Sequence, residues 1–204
     1  MKSVRRIGTE NSATRTTLLD ATEQLMRVEG YAAVSTRRVA KEVGLTPGLV
    51  HYYYPVTDDL LVAVYRRAAE RTMERFAKAI SSDDPVHALW TLHTDWACTA
   101  LAMEFMALAN HRKAIRTEIV RSVECYRAMQ AAALSQLQQA GLSACPPLGL
   151  SVLMAGISSV LVMEEALGIS IGHAEARRFV EGWLSRLEQA RKSRRRPKPR
   201  SRRR

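Results

Sequence analysis

The segment Ser35–Pro55, STRRVAKEVGLTPGLVHYYYP, decides the fold. It reads as two short helices joined by a tight turn. Val39, Ala40 and Val43 recur at helical spacing and give the first helix a narrow apolar face. Gly44 stands where a helix ends in the left-handed conformation, which glycine adopts without a Cβ clash. Thr46 is placed to cap the next helix, and Pro47 suits its first turn, where a missing N–H costs nothing. The second helix is too short, and too polar at its start, to be core. A short exposed helix held at a fixed angle by its predecessor is the form in which proteins enter the DNA major groove. The segment predicts a helix-turn-helix and DNA binding.

Upstream, residues 1–11 form a basic arm with Lys2, Arg5 and Arg6, and Ser12 is placed to cap a helix running to about Glu29. Leu18, Ala21, Leu25 and Val28 mark its inward face, and Gly30 ends it. Downstream, Thr57-Asp58-Asp59 supplies a cap and N-terminal acids for a long helix to about Ile80. Leu60, Leu61, Val64, Ala68, Met73 and Phe76 form its apolar stripe. Ser81–Pro85 is a break, after which Val86 to about Asn110 reads as one helix or two. His111 to about Ala140 is another long helix, closed by Gly141. Cys145-Pro146-Pro147 breaks the chain again before an apolar helix from about Leu148 to Leu167. An amphipathic helix then spans about His173 to Arg191, with Ala176, Val180, Trp183 and Leu187 on its buried face. The fold class is therefore all-α: a three-helix DNA-binding unit followed by six helices, with no strand signal.

An apolar content of 47% is ample for a buried core and excludes wholesale disorder, while only 6% aromatics fits helices better than sheets. The net charge of +11 invites a nucleic-acid reading, but ten Lys or Arg stand in residues 191–204, RKSRRRPKPRSRRR. Without them the rest of the chain carries only +1. The tail makes the chain basic, and such a like-charge block is expected to be disordered. It offers either nonspecific phosphate contacts or a solvated extension without consequence. Cys98, Cys125 and Cys145 lack CxxC spacing, which favours free thiols over a disulfide frame or a metal site. The polar N-terminal stretch has no signal-like apolar core, so a cytoplasmic protein is expected. The run Leu148–Met163 is short for a membrane span and interrupted by Ser151, Ser158 and Ser159; a buried helix is expected there. No GxSxG, phosphate loop, HExxH or ExxH pair is present, so neither an enzyme nor a cofactor is expected.

The order of helices and the stretch TRRVAKEVGLTPGLVHYYYP followed by an acidic helix start resemble the TetR family of transcriptional repressors. The resemblance is specific over the first 65 residues or so; beyond them it rests on length and architecture. It implies a DNA-binding domain at 12–56, a ligand-binding and dimerisation domain at 57–190, and flanking arm (1–11) and tail (191–204). It also implies a small-molecule site among helices four to seven, and pairing of helices eight and nine with a second subunit. Thr36 and Arg37 then lie at the groove edge, where a hydroxyl or backbone N–H meets phosphate and a guanidinium reaches guanine. Thr46, Pro47, Gly48, Leu49 and His51 face DNA while Val50 packs inward. Tyr52 and Tyr53 match phosphate-touching aromatics of the family, and Tyr54 is expected in the core. Two positions depart from the family pattern. Thr57 replaces a lysine that touches phosphate, and His51 replaces a frequent tyrosine.

Trp90, His93 and Trp96 recur at three-residue steps, which places them roughly along one face of a helix. With Met103, Met106 and Tyr126 they are the candidate lining of an effector site, suited to a largely apolar ligand with one polar anchor; the competing reading is plain core. In helix eight, Gly156, Ser158 and Ser159 stand beside Met154, Ile157 and Leu161. A helix apolar nearly all round needs cover on every side, so these residues, with Val180, Trp183 and Leu187, are expected at a homodimer interface. The expected function is a ligand-responsive repressor on a palindromic operator. An architectural DNA-coating protein driven by the tail, or an activator of the same fold, are the alternatives.

Overall fold

The computed structural model describes residues 13–139 and 145–195. The N-terminal arm, the Ser12 cap, Gly141 and tail residues 196–204 lie outside the described residues. Among those described there are nine α-helices and no strand. They are α1 (Ala13–Glu29), α2 (Thr36–Glu42), α3 (Pro47–Tyr53), α4 (Thr57–Ile80), α5 (Pro85–His93), α6 (Trp96–Ala109), α7 (Lys113–Gln139), α8 (Pro147–Ala166) and α9 (His173–Arg195), with a 3-10 turn at Tyr31–Ala33.

The stretch expected as one helix or two is two. Thr94 closes α5, its Oγ1 donating back to the Trp90 carbonyl at 3.1 Å. Asp95 opens α6: its Oδ1 accepts from the Cys98 N–H at 3.4 Å, and Arg75 donates to its other oxygen at 2.5 Å. A carboxylate at the start of a helix satisfies N–H groups that have no partner inside it. The break has a consequence for the predicted stripe. Trp90 and His93 end one helix and Trp96 begins another, so the three do not share a helical face.

The packing divides the chain into two compact units that do not follow chain order. One takes Met1–Thr72 together with Ala100–Ser122; the other takes Met73–Thr99 and Val123–Arg204. The expected boundary at residue 57 falls inside the first. Its core gathers Leu18, Leu25 and Met26 of α1, Val39 of α2, Val50 of α3 and Leu60, Leu61 and Val64 of α4. Leu101, Phe105, Leu108 and Ile115, from much later in the chain, complete it. Tyr65 and Phe105 meet edge to face at 5.1 Å. Val28, expected to face inward, is 69% exposed. The stripe of α1 instead runs Leu18, Thr22, Leu25, Met26, at the i, i+4, i+7, i+8 spacing, and Val28 falls off it.

Polar groups fasten the same unit. Glu23 of α1 accepts from Arg27 at 2.9 Å, from Arg67 of α4 at 3.1 Å, and from Arg71 of α4. Burial acts to raise the Glu23 pKa, but the hydrogen bonds and charges of Arg27 and Arg71 outweigh it and hold the carboxyl below its ordinary value. A carboxylate with a depressed native pKa stabilises the fold at neutral pH, and that contribution disappears as pH falls through the depressed value. Glu23→Gln should therefore cost about 1–3 kcal/mol at neutral pH. Urea titrations should show the variant losing less further stability than the parent as pH drops below the carboxylate range.

The second unit packs Phe76, Leu89, Trp90, Leu134, Leu150, Met154, Leu161, Val180, Leu184 and Leu187 around one core. Helix α8 alone among the described helices is long and apolar enough to cross a membrane, but its inward face is part of this core.

Candidate nucleic-acid interface

The geometry of the head begins with its caps. Ser35 accepts the Arg38 N–H at 3.1 Å and starts α2. Gly44, at φ +67°, ends it, and the Leu45 N–H returns to the Ala40 carbonyl at 2.9 Å. This is the left-handed helix ending expected of that glycine. Thr46 occupies the N-cap position of α3 with extended backbone, yet its side chain makes no capping hydrogen bond. The predicted cap is thus made by position alone: the Thr46 carbonyl accepts from Leu49 at 3.0 Å, and Pro47 needs no partner.

Val50 is fully buried and fixes α3 by one side. Thr46, Pro47, Gly48 and Leu49 are exposed on its first turn, and Arg37 is exposed on α2. All five are accessible, with Val50 turned away. Nothing lies within 4 Å of a Cβ built on Gly48, so a partner can approach that backbone closely. Tyr52 is exposed and stacks edge-on against the half-buried Tyr53 at 5.4 Å. Tyr54 is buried at 2%, with the Arg15 guanidinium 4.9 Å from its ring centroid.

Thr36 and His51 are not free-standing readers. Thr36 is only 7% exposed, and its hydroxyl lies 3.3 Å from His51 Nε2. His51 Nδ1 lies 3.2 Å from the Pro55 carbonyl. Thr57 is half-buried as the first residue of α4, and the N-terminal acids act around it. Asp59 reaches back to the Val56 N–H at 3.4 Å, and Asp58 pairs with Arg112. Thr57 is thus within the helix instead of capping it.

The candidate effector residues divide between the units. Met103, half-buried, and Met106, 63% exposed, belong to the first. Trp90, His93, Trp96 and Tyr126 belong to the second. There Trp90 is buried, Trp96 is 52% exposed, and Phe76 packs against both His93 (5.4 Å) and Tyr126 (5.6 Å). A polar line absent from the sequence prediction crosses this core: His93 Nε2 contacts Gln130 Oε1 at 3.4 Å, and Ser151 donates to the same oxygen at 2.6 Å. Gln130 and Ser151 are 2% and 1% exposed. Burial pushes the His93 pKa below its ordinary value, the hydrogen bond to Gln130 only partly opposing it, so the ring is held neutral. Among the described residues no group of three His, Cys, Asp or Glu is arranged to hold a metal ion.

Most residues expected at a dimer interface are buried within the chain's own core. Met154, Leu161, Val180 and Leu187 are each 6% exposed or less and pack in their own unit's core. Trp183 is half-buried against that core, and only Ile157, at 39%, is exposed. The outward side of α8 carries Leu153, Gly156, Ile157 and Val160 at helical spacing, with Phe179 of α9 72% exposed. An all-round apolar helix does not announce which face its own chain covers, and here the covered face holds Met154 and Leu161.

Residues 18–64 match the family model described as bacterial regulatory proteins, tetR family. The chain is similar to the HTH-type transcriptional regulator UidR of Escherichia coli (strain K12), at 27% identity over 104 residues, 48% of this chain and 53% of that protein. The chain thus matches about half the length of its curated relatives. In fold it is similar to a TetR-family regulator from Rhodococcus sp. (TM-score 0.72, 19% identity, covering 87% of this chain and 100% of that one). It is similar also to a Saccharomonospora viridis regulator solved in complex with choline (TM-score 0.72, 18% identity, 82% and 95%). A third similar structure is Salmonella enterica GusR (TM-score 0.64, 18% identity, 88% and 95%).

Proposed function

We propose that this chain, a member of the TetR family of transcriptional regulators, represses its target genes as a homodimer on a palindromic operator and is released by a small, largely apolar effector. The observation that carries the DNA reading is the split of α3: Val50 is buried while Thr46, Pro47, Gly48 and Leu49 are exposed. A recognition helix needs that division, one side anchored and its first turn presented to base edges and phosphates. Two heads then read half-sites about 34–36 Å apart.

The dimer reading is supported by the outward side of α8. Leu153, Ile157 and Val160 are large and solvent-exposed there, as is Phe179 on α9, and exposed apolar side chains in such number mark an interaction site. The effector reading is supported by the second unit, whose core sets one neutral imidazole and the Gln130–Ser151 pair among Trp90, Phe76 and Tyr126. That is an apolar wall with few polar anchors. An effector that binds better to a state whose heads do not fit the operator shifts the population off DNA. The site of action is the cytoplasm.

Selection of bound genomic fragments, followed by footprinting, tests the proposal. A short two-fold symmetric protected sequence is expected, surviving excess random DNA at moderate salt. Arg37→Ala should weaken its binding roughly 10- to 100-fold if the guanidinium meets a base edge. Uniform protection without a preferred sequence would instead favour the architectural alternative.

A further inference from the structure

Residues 111–116, HRKAIR, place Arg112, Lys113 and Arg116 close together with no acid between them, in a chain whose charge outside the tail is nearly balanced. They form the corner between α6 and α7 and, with Asn110 and Thr117, wall an open cleft of about 480 Å³. The whole lining belongs to the first unit, the one that holds the reading helix. His111, Lys113, Arg116 and Thr117 are exposed.

The acids around the corner are already engaged. Asp58 of α4 pairs with Arg112, and the Asp59 carboxylate accepts the Val56 N–H at 3.4 Å. Glu118 pairs with Arg66 at 2.6 Å and with Arg121 at 2.8 Å. Arg116 donates from Nε to the Ala109 carbonyl at 3.1 Å and from Nη2 to the Asn110 carbonyl at 3.2 Å, which leaves its charge unmatched. Among the described residues no ion pair includes Lys113 or Arg116. Lys113 also stands in the first turn of α7, which holds no acid. Helix starts favour carboxylates and disfavour cations, and α4 and α9 follow that rule with Asp58, Asp59 and Glu175. A residue that breaks a local rule with no compensating contact inside the fold is expected where an outside partner supplies it.

Charge and place identify that partner. Unmatched cations on an open surface suit a polyanion; ligand sites for small molecules enclose most of the molecule, and this cleft would leave one in water. The Asp58–Arg112 pair ties the corner to the first turn of α4. Only Tyr54, Pro55 and Val56 separate that helix from the end of the reading helix, a span of at most roughly 14 Å. We propose that Lys113 and Arg116 form a second DNA-contacting patch, outside the helix-turn-helix, that binds backbone phosphates beside the sequence read by α3. The proposal rests on the reading of α3 as DNA-contacting. Phosphate contacts carry no sequence information, so the patch adds affinity and salt dependence and leaves base choice to α2 and α3.

The test uses the full chain, a duplex selected from a random-sequence library and single-base variants of that duplex, with Kd measured between about 50 and 200 mM salt. Each neutralised phosphate contributes about −0.9 to the slope of log K against log salt. Lys113→Gln should make the slope shallower by about 0.9 per head and weaken binding to every duplex by the same factor. Lys113→Glu should weaken all of them further. Lys78→Gln removes the same charge from an exposed lysine of the other unit and should keep the parent's slope. Lys113 is exposed and in no ion pair, so both of its variants should unfold at the parent's midpoint. An unchanged slope in Lys113→Gln, an equal change in Lys78→Gln, or an altered ranking of the single-base variants overturns the proposal. Failure of the parent chain to bind any selected duplex sinks the DNA reading itself, whereas specific binding with the parent's slope in Lys113→Gln sinks only this inference.

Discussion

Ile157→Glu combined with Phe179→Glu should give a folded monomer that binds operator on the order of a thousandfold more weakly than the parent. Both side chains are exposed on the subunit, at 39% and 72%, so neither change opens its core. The thermal unfolding of each subunit should therefore change little. An interface formed over these residues would have to bury two carboxylates without partners, and leaving a buried charge unpaired costs about 3–5 kcal/mol. The DNA effect follows from tethering. In a dimer the second head binds at the effective concentration set by the first, in the millimolar range, and a monomer forfeits that gain. Sedimentation and operator titration read the two effects separately. A dimer that persists in the double variant would place the interface elsewhere. By contrast, Met154→Glu or Leu161→Glu would damage the core of the second unit, because both are buried within it.

Phe105→Ala should abolish DNA binding at ordinary temperatures although it stands far in sequence from the reading helix. Phe105 is 1% exposed, in one core with Val39, Val50 and Leu60, and edge-on to Tyr65. Removing a buried phenyl ring costs about 3–5 kcal/mol. Domains hold only about 5–15 kcal/mol in total, so the loss consumes a large part of the first unit's stability. Denaturant unfolding should show a shifted midpoint, and operator binding should fall with it. Phe105→Leu should recover most of both, since it refills much of the volume with apolar atoms. Binding that survives Phe105→Ala unchanged would mean that the head folds without its late segment.

The reading segment was legible because its information is local. Gly44, Pro47 and the alternation around Val50 act through backbone conformation and helical period within about twenty residues. Three kinds of feature escaped. The stretch from Val86 to about Asn110 reads as one helix or two, and only the position of its break is hidden, since Thr94-Asp95 is a short polar interruption among apolar neighbours. Gln130 and Ser151 stand twenty-one residues apart, and nothing in one sequence links them until packing does. Which side of helix eight its own chain covers was hidden for a third reason. Periodicity names a face only when the opposite face is polar, and Leu153 and Met154 are equally apolar neighbours. The Thr46 cap failed more narrowly, by hydrogen bond and not by position. His51 was expected among the base readers, whereas its ring nitrogens meet Thr36 and Pro55 within the chain.

The late arrival of Leu101, Phe105, Leu108 and Ile115 in the head's core also bears on synthesis. A ribosome adds about 5–20 residues per second, and N-terminal segments ordinarily fold as they emerge. Here the reading helix leaves the ribosome with one wall of its core still to be translated. The whole of 73–99, which belongs to the other unit, must be made in between. A nascent chain thus carries the reading helix before it can hold it in place. Products that stop before Ile115 would be poor competitors for the operator.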